Sequence, residues 1–264
     1  MYAFDYKRAN TVAEATQLFA DGEDAAFLAG GQTLIPTLKQ RLRQPSVVVD
    51  LGRLADLQGI AVAGNVLTIG AGVTHADVAA SDAVKKAIPA LADLASMIGD
   101  PQVRNRGTLG GSIANNDPAA DYPAALLALD ATIHTSTRSL AAADFFTGMF
   151  ETALQPGELV VKVDFPIPRR AAYAKFRNPA SRYAVVGVMV ADTVDGPRVA
   201  VTGAGQGVFR LTEMETALAQ NFSQAAIQNL VLPTPNLNSD LHATAEYRAH
   251  LIKVMAGRAL ATLT

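Results

Sequence analysis

Ala25-Ala26-Phe27-Leu28-Ala29-Gly30-Gly31-Gln32-Thr33-Leu34 sets a short apolar run and two adjacent glycines directly ahead of the amphipathic segment Leu34 to Arg43. This order predicts strand, tight turn, helix. Thr11 to Ala20 reads as a helix before it, and Pro45 to Asp50 returns as strand, so the first fifty residues predict a compact α/β unit. Glycines without a Cβ let a backbone bend sharply and approach a ligand closely, and the N–H groups at the start of the following helix offer free donors to anionic oxygens. The pair admits a second reading, a strand-to-helix turn and nothing more.

A second stretch of the same kind, Gly107-Thr108-Leu109-Gly110-Gly111-Ser112, follows the polar run Gln102-Val103-Arg104-Asn105-Arg106. From Gly107 to Asp121 the chain is rich in Gly, Asn, Asp and Pro and reads as one long irregular loop, which inside a compact domain is usually functional. Two such loops facing each other would wrap a diphosphate with main-chain donors from both sides, without lysine or arginine. A dinucleotide is the economical ligand. Asp121 then has two compatible roles: accepting hydrogen bonds from a sugar or ribityl hydroxyl, or capping the helix that starts at Tyr122.

Between the two stretches, Ile60 to Ala63 and Asn65 to Ala71 predict a hairpin about Gly64-Asn65. Thr74-His75-Ala76-Asp77 predicts a capped helix to about Ser81, and Ile88 to Gly99 a second, alanine-rich one. Beyond Asp121, Pro123 to Leu129 is an apolar stretch, Thr132 to Thr135 and Leu159 to Asp164 read as strands, and Asp144 to Phe150 as helix. Phe165-Pro166-Ile167-Pro168-Arg169-Arg170 marks a boundary. After it come strands at Tyr173 to Phe176, Val185 to Asp192 and Arg198 to Thr202, and helices at Glu213 to Gln220, Phe222 to Leu230 and Thr244 to Leu260, a separate α+β domain.

Composition narrows the function. The 264 residues are 50% hydrophobic and carry a net charge of -2, with no basic surplus for nucleic acid or an anionic membrane. The absence of cysteine excludes disulfides, thiolate nucleophiles and cysteine-ligated iron–sulfur clusters in this chain, so a redox carrier here must be organic. There is no apolar signal core at the N-terminus and no run approaching the roughly 18 apolar residues of a membrane span, which makes a cytoplasmic protein the expectation. His75, His134, His242 and His250 lack metal-site spacing and read as surface or helix residues. Gly203-Ala204-Gly205-Gln206-Gly207-Val208 has valine where a G-x-G-x-x-G fingerprint needs glycine, and reads as a turn.

Phe27 to Leu34, Thr68-Ile69-Gly70-Ala71-Gly72-Val73-Thr74 and Val103 to Ala114, together with Asp117-Pro118-Ala119-Ala120-Asp121, resemble the FAD-binding medium subunit of molybdenum hydroxylases, the carbon monoxide, xanthine and aldehyde dehydrogenases. The resemblance covers essentially the whole chain. It implies an α+β protein with a two-lobed FAD-binding domain of vanillyl-alcohol-oxidase type over residues 1-168, lobes about 1-55 and 56-168. A small C-terminal α+β domain over 169-264 follows. It assigns the diphosphate of a non-covalent FAD to Ala29, Gly30, Gly31, Gln32 and Thr33 and to Thr108, Leu109, Gly110, Gly111 and Ser112, and the ribityl region to Asp121. Lys175 and Arg177 are the candidates for a basic contact, and Tyr183 either lies near the flavin ring or, as is more common for such a residue, packs in the core.

The implied partners are a large subunit with the molybdenum cofactor and a small subunit with [2Fe–2S] clusters, in a dimer of heterotrimers. Electrons would pass from those clusters through FAD to an external acceptor, with no catalytic acid–base residues in this chain. Two other readings stand beside this one. A self-sufficient flavin-dependent oxidase would use the C-terminal domain as a substrate pocket, although no convergent basic or histidine cluster is visible for it. A non-redox scaffold without flavin would keep the glycines only for turns.

Overall fold

The structure is a computed structural model that describes residues 1 to 263. It opens with a three-stranded parallel sheet in the order Asp5–Arg8, Val47–Asp50, Ala25–Leu28. The helices Val12–Ala20 and Leu34–Lys39 fall between the strands. Thr11 caps the first of these helices by accepting from Glu14 N at 3.1 Å, while the Glu14 carboxylate reaches back to Asn10 N at 2.7 Å. The second helix stops short of the predicted Arg43 because Arg41 turns into the left-handed region at φ 59°. Asp5–Arg8 has no apolar pattern and all four residues are exposed. Pairing with Val47–Asp50 makes it a strand, and Tyr6 and Arg8 both hydrogen-bond Asp50.

A five-stranded antiparallel sheet follows, in the order Ile60–Ala63, Val66–Gly70, Val160–Pro166, Thr132–Thr135, Ser139–Ala141. The hairpin turns at Gly64, whose φ of 57° suits glycine. Six short helices lie between its second strand and Thr132: His75–Ala80, Asp82–Ala87, Pro89–Ser96, Pro101–Arg104, Leu109–Asn115 and Tyr122–Ala128. Every residue of Tyr122–Ala128 is buried, which places that helix in the middle of the first hydrophobic core with Leu67, Ile69, Leu91 and Ile113.

Three predictions need correction here. The stretch from Gly107 to Asp121 is not an irregular loop: Leu109–Asn115 is helical, with Thr108 as its cap and Asn116 closing it in the left-handed region at φ 43°. The predicted helix from Ile88 to Gly99 spans only Pro89–Ser96, and the unforeseen helix Asp82–Ala87 precedes it under a Ser81 cap. Of Asp144 to Phe150 only the start is helical, within Ala142–Phe145; Phe146–Gly148 then pairs with Glu151–Thr152 across a turn that holds Phe150 at φ 57°.

The last part is an antiparallel sheet, Arg170–Arg177, Ala184–Thr193, Gly196–Thr202, Phe209–Arg210 in that order, packed on the helices Thr212–Gln220 and Ala245–Ala261. Ala184–Thr193 is nearly continuous in apolar residues because both its faces are covered. Val186, Val188 and Val190 meet Ile252 and Met255 in a second core, while Met189 and Ala191 join the first. The sheet is therefore a shared wall. Two contacts pin the segment before Tyr122 to its edge: Gly203 N donates to Pro118 O at 2.8 Å, and Thr202 Oγ1 to Ala120 O at 2.6 Å. Among the described residues no helix is long and apolar enough to cross a membrane.

Candidate cofactor cleft

A cleft of about 800 Å³ runs between these walls, towards the upper end of the roughly 300–1,000 Å³ typical of small-molecule sites. The two glycine stretches meet at its floor. A Cβ placed on Gly30 would stand 2.1 Å from the carbonyl oxygen of Arg106 and 2.8 Å from Gly107 Cα, so only glycine allows the backbones to press together there. Gly31 adopts φ 73°, the left-handed turn that aims the chain from strand into helix. Among the described residues, the amides from Ala29 to Thr33 find no acceptor; the first bond across this turn is Ile35 N to Gly31 O at 3.1 Å. Thr33, at the helix start, makes no side-chain cap. Ala29, Gly30 and Gly31 are half-buried and Gln32 and Thr33 exposed, and a run of free main-chain donors at a helix start is suited to an anionic oxygen group brought by a ligand.

The second stretch contributes differently from the expectation. Leu109 N donates to Val73 O at 3.0 Å, Gly110 N to Ala71 O at 2.8 Å, Ser112 N to Thr108 O at 3.0 Å, and Gly111 N to Thr108 Oγ1 at 3.1 Å. Those four amides serve the fold, because the stretch is a helix start laid against Ala71 to Val73 rather than a free loop. Gly110 is the point of closest approach, where a Cβ would meet that of Ala71 at 2.5 Å. What the stretch offers the cleft is the exposed face of Gly111 and the Ser112 side chain. All the predicted site residues line the cleft except Leu109, which is fully buried in the first core.

Asp121 is buried too, but neither free nor a cap. Its carboxylate accepts from Lys175 Nζ at 2.8 Å and from the Tyr173 hydroxyl at 2.5 Å, and makes no side-chain bond to the helix it precedes. Burial pushes the Asp121 carboxyl up from its ordinary value, and the Lys175 ammonium opposes that shift. Lys175 also donates to Met97 O at 3.2 Å, which ties the C-terminal sheet to the helix side of the cleft. Arg177 does not line the cleft. Tyr183 does, at 48% exposure, so it stands on the cleft wall and not in the core. Its phenol is shifted up, chiefly by partial burial and then by Asp117 and Asp121.

The sequence reading passed over three groups. Of the two readings, surface or helix residue, His75 takes the second: it opens the helix His75–Ala80, is only 4% exposed, lines the cleft beside the Tyr122 ring at 5.4 Å, and among the described residues leaves Nδ1 without a partner. Burial, with help from Arg104, holds its pKa at about 4, so the ring is neutral. Glu158 also lines the cleft and is gripped by Arg138, Thr135 and Thr137, which with Gln155 N hold its pKa at about 2. Asp117 shares the cleft with them. Only long-range packing brings these together; the sequence signals were Asp117 within the family-like segment Asp117 to Asp121 and His75 directly after the predicted cap Thr74. Gly203, in the glycine run after Val199, sits at φ 80° in a turn.

Known proteins match this chain along its length. The family described as the FAD binding domain in molybdopterin dehydrogenase matches residues 2–168, and the CO dehydrogenase flavoprotein C-terminal domain matches residues 171–263. The carbon monoxide dehydrogenase medium chain of Afipia carboxidovorans is 34% identical, with 98% of this chain and 96% of that one covered. The 6-hydroxypseudooxynicotine dehydrogenase complex subunit alpha of Paenarthrobacter nicotinovorans is 36% identical over 98% of this chain and 94% of its own length. Among solved structures, quinoline 2-oxidoreductase from Pseudomonas putida 86 superposes with a TM-score of 0.89 at 30% identity, covering 98% and 96% of the two chains. A carbon monoxide dehydrogenase from Hydrogenophaga pseudoflava lacking the Mo-pyranopterin moiety of the molybdenum cofactor also reaches 0.89, at 33% identity and the same coverage. Matched in order from one end to the other, this chain belongs to the FAD-binding medium-subunit family of the molybdenum hydroxylases and is an oxidoreductase subunit.

Proposed function

We propose that the cleft is the FAD site, and that the subunit takes electrons from [2Fe–2S] clusters of a small partner subunit and passes them to an external acceptor. A large partner subunit with the molybdenum cofactor oxidises the substrate in this reading, and the assembly is a cytoplasmic dimer of heterotrimers. Residues 1-168, with lobes about 1-55 and 56-168, form the FAD-binding domain in this reading, and the C-terminal domain, 169-264, contributes Lys175, Ser181, Arg182 and Tyr183 to the cleft. The observation that carries the reading is the run of unpaired amides from Ala29 to Thr33, held against Arg106 and Gly107 at the cleft floor. The multisubunit dehydrogenases among the relatives support the partner arrangement.

A bound flavin supplies the exchange of electrons singly and in pairs. The chain's own residues supply placement and field. Amides of Gly30, Gly31, Gln32 and Thr33 receive the diphosphate, joined by the Ser112 hydroxyl across the contact. These are preorganised dipoles, so no lysine or arginine need be desolvated to hold the charge. The Asp121–Lys175 pair is nearly neutral as a unit, fixes the spacing of the two walls, and leaves Asp121 able to accept one further hydroxyl through its remaining lone pairs. With no cysteine in the chain, clusters that feed the flavin sit on another subunit.

The test is an absorbance scan of the purified chain with Gly31→Val beside it. A β-branched side chain at φ 73° cannot keep the turn, and its Cβ would begin 2.7 Å from Ile35 Cδ1. The wild type should show flavin bands released on denaturation, and the folded variant should lose flavin affinity by about tenfold or more. Full retention of flavin in Gly31→Val would overturn the site assignment.

A further inference from the structure

Three carboxylates line the cleft, and two of them have a cation of their own: Asp121 has Lys175 and Glu158 has Arg138. Asp117 has none. Its Oδ1 accepts from Ala119 N at 2.8 Å, while the second oxygen has no partner among the described residues. Burial lifts its carboxyl above the ordinary value of 3.8, with only that one backbone bond opposing. That second oxygen is not a buried orphan: it is open to the solvent of the cleft and so within reach of a ligand's donor.

The segment that carries it is held from both ends. Asn116, in the left-handed conformation, donates its side-chain amide to Gly148 O at 2.8 Å and Glu151 O at 2.7 Å. On the other side, Pro118 O and Ala120 O accept from Gly203 N and Thr202 Oγ1. The Asp117 carboxylate is thus preorganised, and a donor that reaches it meets little ordering cost. Its charge also selects which part of a dinucleotide can approach. A phosphate would be repelled, and the free amides at Ala29 to Thr33 already provide for one; a hydroxyl or ring N–H would be attracted.

We propose that Asp117 is a binding residue for the non-phosphate part of the cofactor, with its free oxygen accepting a hydrogen bond from a hydroxyl or imide N–H group. This rests on the cleft being the flavin site. The other titratable or charged groups along this part of the cleft are Asp121, Lys175 and Tyr173 within the buried cluster, Arg182 and Tyr183 from the loop ahead of Ala184–Thr193, and His75. Because the ligand donates to the ionised form, binding lowers the Asp117 pKa from its raised value in the free chain. FAD affinity therefore weakens as pH falls through that raised value, and is flat above it.

The experiment is FAD titration of the flavin-free full chain, followed by flavin fluorescence, for wild type, Asp117→Asn and Asp117→Ser from neutral to mildly acid pH. Both variants keep an oxygen for Ala119 N, the serine through an ST turn, so two independent routes preserve the local fold. At neutral pH each should bind FAD about 10- to 100-fold more weakly, the worth of a hydrogen bond to a charged group. The wild-type curve should fall with acidification more steeply than either variant, a difference that cancels contributions from Asp121 and His75. Affinities within about twofold of wild type, or parallel pH curves, overturn this inference alone. A wild-type chain with no affinity for FAD overturns it together with the reading of the cleft.

Discussion

Replacing Gly30 by alanine tests the contact on which the cleft is built. The added methyl would lie 2.1 Å from the Arg106 carbonyl oxygen, 2.8 Å from its carbon and 2.8 Å from Gly107 Cα. All three are backbone atoms, so no rotamer change relieves the clash, and the two stretches must separate. Overpacking of this kind costs about 1–3 kcal/mol, and for a chain of this size each kcal/mol lowers Tm by roughly 2–4 °C. Separation also turns the Ala29 to Thr33 amides away from the second stretch, so FAD affinity should fall by about tenfold or more alongside stability. Urea unfolding of the flavin-free chain reads the first effect and flavin fluorescence titration the second. Gly207→Ala is the control: nothing lies within 4 Å of its Cβ and no left-handed φ is required, so its stability should stay within about 0.5 kcal/mol of wild type. A Gly30→Ala chain with wild-type stability and wild-type FAD affinity would refute the claim that these backbones touch.

Other outcomes follow from the buried charges and the strained turn. Lys175→Met strands Asp121 in the interior, where both side chains are almost fully buried; it should cost about 3–5 kcal/mol in urea unfolding, most of it recovered by adding Asp121→Asn. His75 binds a proton in the unfolded chain near its ordinary 6.5 but only at about 4 when folded, so the unfolded state holds more protons between those values. Stability should therefore be complete above pH 6.5 and fall by roughly 3 kcal/mol on the way down to about 4, a slope that His75→Phe should flatten. Glu158 works in a lower window: its ionised form contributes stability above 4.5, lost as pH falls towards about 2, and Arg138→Met should narrow that window in an acid titration followed by circular dichroism. Phe150→Gly removes a side chain from φ 57° at an exposed turn, and should leave stability unchanged or raise it by up to about 1 kcal/mol.

What could be read in advance was whatever local geometry decides. The Gly64 hairpin, the turn at Gly30 and Gly31 and the cap at Thr74 each depend on a few adjacent residues, and each stands where the sequence puts it. The apolar run inside Ala184–Thr193 was also legible, since a strand covered on both faces has to be apolar throughout. Leu109–Asn115 was not, because Gly110, Gly111 and Asn115 are poor helix formers and the compensating bonds come from Ala71 and Val73, nearly forty positions earlier. That miss carried through to the site. A loop would have presented its amides to a ligand, whereas a helix start consumes them and turns Leu109 into the core.

The same distance problem hid the electrostatics. Asp121 meets Lys175 and Tyr173 only because the Arg170–Arg177 strand lies against the first core, and nothing within either segment signals the pairing. The division of labour across the cleft follows from these two facts together. One stretch keeps its amides free for a ligand, and the other spends them on Ala71, Val73 and its own cap Thr108. Three carboxylates then surround the space, of which two are neutralised from within the chain. If the Ala29 to Thr33 amides hold the diphosphate, dipoles carry that contact, and its affinity should be less sensitive to salt than that of a lysine- or arginine-based site. Raising ionic strength should accordingly leave FAD retention by the wild-type chain nearly unchanged in a dialysis series; loss of flavin in proportion to salt would place the diphosphate on side-chain cations instead.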